Sequence, residues 1–274
     1  MTTQLLIYES AVPVSNQRHA KWSVEVGADY AFSRNVNAVP LMAVEFLPAA
    51  TEYAIVFAAE GDNLLPAAIL GMRGKENLYL SADNKWQAKY IPAFVRRYPF
   101  VFSSSNDGTT FTLCIDEAFA GVNQEDRGQR LIADDGKPTP YTENVLNFLR
   151  EYQAQFVRTQ AFCKKLKELN LLEPMQAQIT TPTGERVSLT GFLGIDRKKL
   201  RALSAESLAS LAANDDLESI YLHLYSMRNF DDVKNRFLTL RSAEAQAPPV
   251  AVAPSEPEPA VKSGKSGAKQ PAKA

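Results

Sequence analysis

The spacing of apolar residues changes near position 139 and divides the chain in two. Before it, short apolar and β-branched runs alternate with turn signals. The runs at 5–8, 22–26, 53–57, 67–72, 78–80 and 110–115 predict strands. Gly61, Gly71 and Gly74 punctuate them. A strand at 101–103, the turn signal Asn106-Asp107-Gly108 and the run at 110–115 predict a hairpin. No long helical pattern separates these strands, which favours an antiparallel sheet over a doubly wound parallel one.

After 139 the period becomes helical. Thr139 followed by Pro140 has the form of an N-cap and first helical position. Val145, Leu149, Tyr152, Phe156, Thr159, Cys163 and Leu166 follow at spacings of four and three. They share one face of a helix of about 30 residues. Thr159 and Cys163 weaken this face as a coiled-coil seam, so it is expected to face a core, and Pro174 is expected to end the helix. A second hairpin is predicted from 178–181, a turn at Pro182-Thr183-Gly184, and 186–189. Helical segments follow at 197–203, from a Ser204 cap to about 214, at 217–227, and from an Asn229 cap through 240. The fold class is α+β: a mainly antiparallel N-terminal sheet, a long helix and a C-terminal helical region.

From Ala243 the composition shifts. Six of the 16 prolines fall in the last 32 residues, with no aromatic, and Lys262, Lys265, Lys269 and Lys273 follow the last acidic residue, Glu258. Such a stretch buries too little apolar surface to offset its ordering entropy, so 243–274 is expected to be a disordered, solubilising tail. One domain is expected over 1–242, with a subdivision near 139 left open.

The whole chain has 274 residues, 45% hydrophobic and 22% charged, which is ordinary globular composition. A formal net charge of −1 argues against a general nucleic-acid binder. The N-terminus shows no basic region followed by an apolar core, and no run approaches the ~20 apolar residues of a membrane span. A cytoplasmic location is therefore expected. Cys114 and Cys163 read as buried, reduced thiols, and His19 and His223 are too few and too distant for a zinc cluster. No cofactor or metal is expected. Gly71-Met72-Arg73-Gly74 lacks the glycines and context of a dinucleotide fingerprint, and Ser188 and Ser226 lack a nucleophile elbow.

The densest chemistry lies in W-Q-A-K-Y-I-P-A-F-V-R-R-Y-P-F-V-F at 86–102. A short helix from Pro92 would project Arg96 and Arg97 about 100° apart. With Trp86, Tyr90 and Tyr98 they form a candidate binding site for an anion or a protein surface. The competing reading is an internal arginine–carboxylate lock beneath aromatic rings. Tyr98 precedes Pro99 and is biased away from helical backbone, with a trans peptide expected. Asp116, Glu117, Glu125, Asp126, Asp134 and Asp135 match no cation-binding loop and read as turn and surface residues, with Asp134-Asp135-Gly136 a turn. His223, between apolar residues, is expected to hydrogen-bond a backbone carbonyl.

Y-I-P-A-F-V-R-R-Y-P-F at 90–100 resembles the corresponding block of the bacterial SapC family. N-L-Y-L at 77–80, G-Q-R-L-I-A-D-D-G-K-P-T at 128–139, G-F-L-G-I-D-R-K-K-L at 191–200 and I-Y-L-H-L-Y-S-M-R-N-F at 220–230 resemble further family segments in order. The resemblance covers roughly residues 5–240, and its one visible departure is Ile132, where relatives often carry Phe. It implies association with bacterial surface layers, beside genes for surface export or outer-membrane uptake, and it implies no established catalysis. The membrane permease of the same name is a different protein. The expected function is a non-enzymatic accessory protein that binds a protein partner of a surface or export pathway. The alternative is an enzyme acting on a small-molecule or carbohydrate-linked substrate near the 86–102 block. Catalytic residues are unknown.

Overall fold

The computed structural model describes residues 5–61, 63–105, 109–181 and 184–246. The first half carries β1 (Ala11–Pro13), α1 (Asn16–His19), β2 (Ser23–Val24), β3 (Ala38–Pro40), α2 (Phe46–Ala49), β4 (Ile55–Glu60), β5 (Asn63–Ile69), α3 (Ala93–Arg96), β6 (Phe100–Ser104), β7 (Phe111–Asp116), β8 (Val122–Asn123) and β9 (Gln129–Arg130). The second half carries α4 (Pro140–Glu168), β10 (Leu172–Thr180), β11 (Arg186–Ile195), α5 (Arg197–Arg201), α6 (Ala205–Ala212), α7 (Asp216–Ser226) and α8 (Phe230–Gln246). The fold is α+β.

The largest sheet runs β10-β11-β4-β5-β3, and two small sheets run β1-β7-β6 and β8-β2-β9. Their described strand pairs are antiparallel. The 29-residue α4 starts as its sequence dictates. The Thr139 hydroxyl accepts from the Thr142 N–H, Pro140 opens the first turn, and Lys165 and Lys167 sit at the negative end of the helix dipole. Of its predicted face, Leu149, Tyr152, Thr159, Cys163 and Leu166 are buried. Phe57 of β4 meets both Phe162 of α4 and His223 of α7, so both helices cover one face of the large sheet.

The main core draws residues from Ile7 to Phe237 across both halves of the chain. A smaller cluster of Val24, Phe100, Ile115, Leu131, Ile132 and Leu149 seals the small sheets against the start of α4. The β6–β7 hairpin is present with register Phe100↔Ile115 to Ser104↔Phe111, while its predicted turn at 106–108 lies outside the described residues.

Several local expectations are corrected. Residues 5–8 form a turn rather than a strand. The run at 78–80 contributes only an isolated bridge, Leu80↔Trp86, because its backbone folds into the turns around the aromatic cluster. The long helix ends at Glu168, not at Pro174. Asn170 adopts a left-handed backbone (φ 51°), the Leu171 N–H returns to the Leu166 carbonyl (3.0 Å), and Pro174 already lies in β10. The second hairpin extends well beyond 178–189, and its Pro182-Thr183 turn lies outside the described residues. The expected tail boundary at Ala243 moves, since α8 continues to Gln246, and 247–274 lie outside the described residues.

Candidate functional site

The segment 86–102 is built around buried Glu45. Its carboxylate accepts from the Met42 N–H (2.8 Å), the Ala93 N–H at the start of α3 (2.7 Å) and the Tyr90 hydroxyl (2.7 Å). Burial pushes the Glu45 carboxyl above its ordinary value, while these three donors pull it back. Tyr90 is thereby turned inward, its phenol raised first by burial and then by Glu45. Trp86 donates from Nε1 to the Tyr53 hydroxyl (2.8 Å), and that hydroxyl donates in turn to the Tyr90 carbonyl.

The two arginines separate as adjacent helical positions must. Arg97 is only 4% exposed, with its guanidinium 4.4 Å from the Phe94 ring, 4.8 Å from Tyr152 of α4 and 5.6 Å from Tyr8. Arg96 is exposed but folded back. Its Nε donates to the Ile91 carbonyl (2.9 Å), and its guanidinium lies over Phe148 of α4 (5.3 Å) and Tyr90 (5.9 Å). Both therefore tie α3 to α4. Tyr98 is buried, stacks on Phe32 (4.0 Å) and donates to Asp116 (3.3 Å). The Tyr98–Pro99 peptide is cis, against the trans expectation. Of the five predicted residues, the structure brings Tyr90 and Arg96 into contact and joins Trp86 to Tyr90 through Tyr53. Arg97 and Tyr98 lie in the core, and the five do not converge on one cleft.

The acidic region divides. Asp116 is a core residue and not a surface one, whereas Glu117 lies partly buried in the turn after β7. Asp116 is fully buried and accepts from the backbone of Glu9 (2.8 Å), Ser10 (2.9 Å) and Ala118 (3.1 Å), fixing the entry to β1. Glu117 pairs with Arg18 and with Nε2 of buried His19 (3.2 Å). Glu125, Asp134 and Asp135 make surface ion pairs, and the turn at Gly136 has φ 80°.

His223 bridges the place where β4 and β11 part. Those strands pair at Phe57↔Leu193 and Ala58↔Phe192. Two residues further, Nδ1 donates to the Ile55 carbonyl (2.8 Å) and Nε2 accepts from the Ile195 N–H (3.0 Å). Ser226 accepts from the Ile55 N–H (3.0 Å), and the Asn229 amide donates to the Ala50 and Tyr53 carbonyls (2.8 Å each). This stripe thus satisfies backbone groups where β4 and β11 separate and in the turn that precedes β4. Asn229 makes these bonds from its amide nitrogen, at the end of the turn that leads into α8. Desolvation lowers the His223 pKa to about 4, so the ring is neutral at physiological pH.

A groove of about 930 Å³ lies between 86–89 and α8. Trp86, Glu52 and Lys89 form one wall, and Asp232, Arg236 and Leu240 the other. Asp232, Arg236 and Leu240 recur every four residues and so share a helix face. Arg236 is pinned by donating to the Gln87 carbonyl (3.1 Å) and by lying 4.3 Å from the Tyr79 ring. Glu52 accepts from the Lys89 N–H (2.7 Å) and Tyr90 N–H (3.4 Å), tying the segment to the turn that follows α2. Of the predicted residues only Trp86 lines this groove. Sequence reasoning missed Glu45, Arg236 and Leu240, although a lone charge in the apolar run L-M-A-V-E-F-L and the four-residue recurrence on α8 were signals for them.

Cys114 and Cys163 are free and buried, and burial pushes the Cys163 thiol up to about 12. Among the described residues there is no group of three or more His, Cys, Asp or Glu placed to hold a metal, and no helix long and apolar enough to cross a membrane. Comparison with known families gives a match to SapC over residues 14–233, most of the chain. No curated protein and no solved structure matches it.

Proposed function

We propose that this chain, which belongs to the SapC family, is a non-enzymatic accessory protein of a bacterial surface-layer, export or outer-membrane uptake pathway, and that it grips a protein partner in the groove between 86–89 and α8. The groove itself carries the reading. It presents an aromatic ring, an aliphatic side chain and charges of both signs on walls held by hydrogen bonds, and pre-ordered side chains lose little entropy on binding. The buried ionisable groups support binding over catalysis. Glu45, Asp116 and His223 are each engaged by backbone donors or acceptors, and the Tyr53, Tyr79 and Tyr90 phenols are raised by burial and remain protonated.

Affinity purification of the tagged full chain from its source bacterium tests this. A surface-layer, export or outer-membrane protein is expected to co-purify. Asp232→Arg/Leu240→Asp, two exposed groove positions, is expected to reduce its recovery more than about tenfold with the melting curve unchanged. An eluate without such a protein refutes the pathway, and recovery unchanged by the variant refutes the groove.

A further inference from the structure

α7 is anchored in the core by Ile220, His223 and Ser226, which are buried. Its outer face runs on into the turn Met227–Asn229. Between 218 and 228 the exposed residues are Glu218, Tyr221, Tyr225 and Arg228. Their spacings of three, four and three keep them in one stripe, about 15 Å long and within about 80° of the helix circumference. Tyr221 and Tyr225 are 53% and 49% exposed, and α2, which packs beside α7, carries Leu47 at 63%. Large apolar side chains grouped in water mark a contact surface. Glu218 meets no hydrogen-bond or ion-pair partner among the described residues. Arg228 lies over the Tyr225 ring (5.2 Å) and donates from one nitrogen to its hydroxyl (3.2 Å), which leaves further guanidinium donors for an acceptor outside the stripe.

We infer that this stripe is the contact between two copies of the chain, packed with their α7 helices antiparallel. The order of the four residues carries the inference. Glu218 and Arg228, and likewise Tyr221 and Tyr225, are centred on position 223. A two-fold axis at that level sets Glu218 against the partner's Arg228 and Tyr221 against the partner's Tyr225, each contact occurring twice. A closed dimer requires a patch complementary to itself, and this order supplies one. A parallel arrangement would set like charges together at both ends, so charge selects the antiparallel one. An unrelated partner would demand no centred order. Tyrosine rings bury apolar area in the middle, and a guanidinium–carboxylate pair at each end fixes the register. One helix stripe with its α2 flank is smaller than an obligate interface, so the two copies exchange with free monomer.

Sedimentation velocity of the full chain from about 1 to about 200 µM tests this. A monomer–dimer equilibrium with a dissociation constant of about 10–100 µM is expected. Glu218→Arg alone, or Arg228→Glu alone, sets like charges at both ends and is expected to weaken association more than about tenfold. Mixed in equal amounts, the two variants regain opposite charges at both ends and are expected to form a mixed dimer within about threefold of the wild-type affinity. Both positions are exposed, so the melting temperatures are expected to stay within about 2 °C of the wild type. Asp232→Arg/Leu240→Asp in the groove is expected to leave the dimer intact, which separates this contact from the partner-binding surface. A wild type that is still monomeric at about 200 µM, single variants that associate as the wild type does, or single variants that stay monomeric when mixed overturns the inference.

Discussion

Arg96 and Arg97 are neighbours in sequence and opposites in environment. Arg97 fills a cage of three rings, so Arg97→Ala leaves both a cavity and unstacked aromatics. It is expected to cost about 3 kcal/mol in urea unfolding, whereas Arg96→Ala should stay within about 1 kcal/mol. Equal costs would contradict the assignment of Arg97 to the core. His223 gives a pH signature. Its pKa falls from an ordinary 6.5 to about 4 in the fold. Between those values the unfolded chain binds the extra proton, so stability falls as pH drops through this window, by up to roughly 3 kcal/mol. Glu45, raised by burial, acts in the opposite sense above its ordinary value. The His223 share is therefore the difference between unfolding curves of the wild type and His223→Gln measured from pH 7 to pH 4. Parallel pH profiles would remove it. The sequence flagged all three residues but assigned His223 most closely, because an imidazole among apolar neighbours has few options besides backbone groups. Which arginine turned inward was not legible, since adjacent helix positions differ only in what packs against them.

At the scale of elements, local signals were read where they were strong. Thr139-Pro140 and the 3/4 apolar spacing located α4 to within a residue at its start. Its end was misplaced because Asn170, a left-handed stop, is a weaker signal than Pro174. The 78–80 run has strand composition but no long partner strand, and tertiary packing overrode its propensity. Gly71 and Gly74 looked alike as punctuation, yet the structure distinguishes them. A Cβ on Gly71 would sit 2.1 Å from the Glu76 carbonyl oxygen, whereas one on Gly74 meets nothing within 4 Å. Gly71→Ala is expected to lower stability by about 2–4 kcal/mol and Gly74→Ala to change it by less than about 0.5 kcal/mol, readable by thermal melts. Comparable shifts at both sites would show that the backbone approach at Gly71 is not required.

Over the whole molecule, the α+β class and the helical C-terminal region were legible from periodicity. The sequence marked 86–102 as its densest chemistry, but it distributes that chemistry to two ends. Arg97 and Tyr98 enter the core, Arg96 braces α3 against α4, and Trp86 to Lys89 reach the groove completed by α8, some 150 residues later in the chain. Such a long-range juxtaposition leaves no trace in local spacing. The proposed partner-binding surface is therefore the groove and not the arginine pair. The direct test is partner recovery from the source bacterium measured side by side for wild type, Asp232→Arg/Leu240→Asp and Arg96→Ala. The account predicts that recovery falls more than about tenfold for the groove variant and persists for Arg96→Ala. Loss with Arg96→Ala and retention in the groove variant would contradict it.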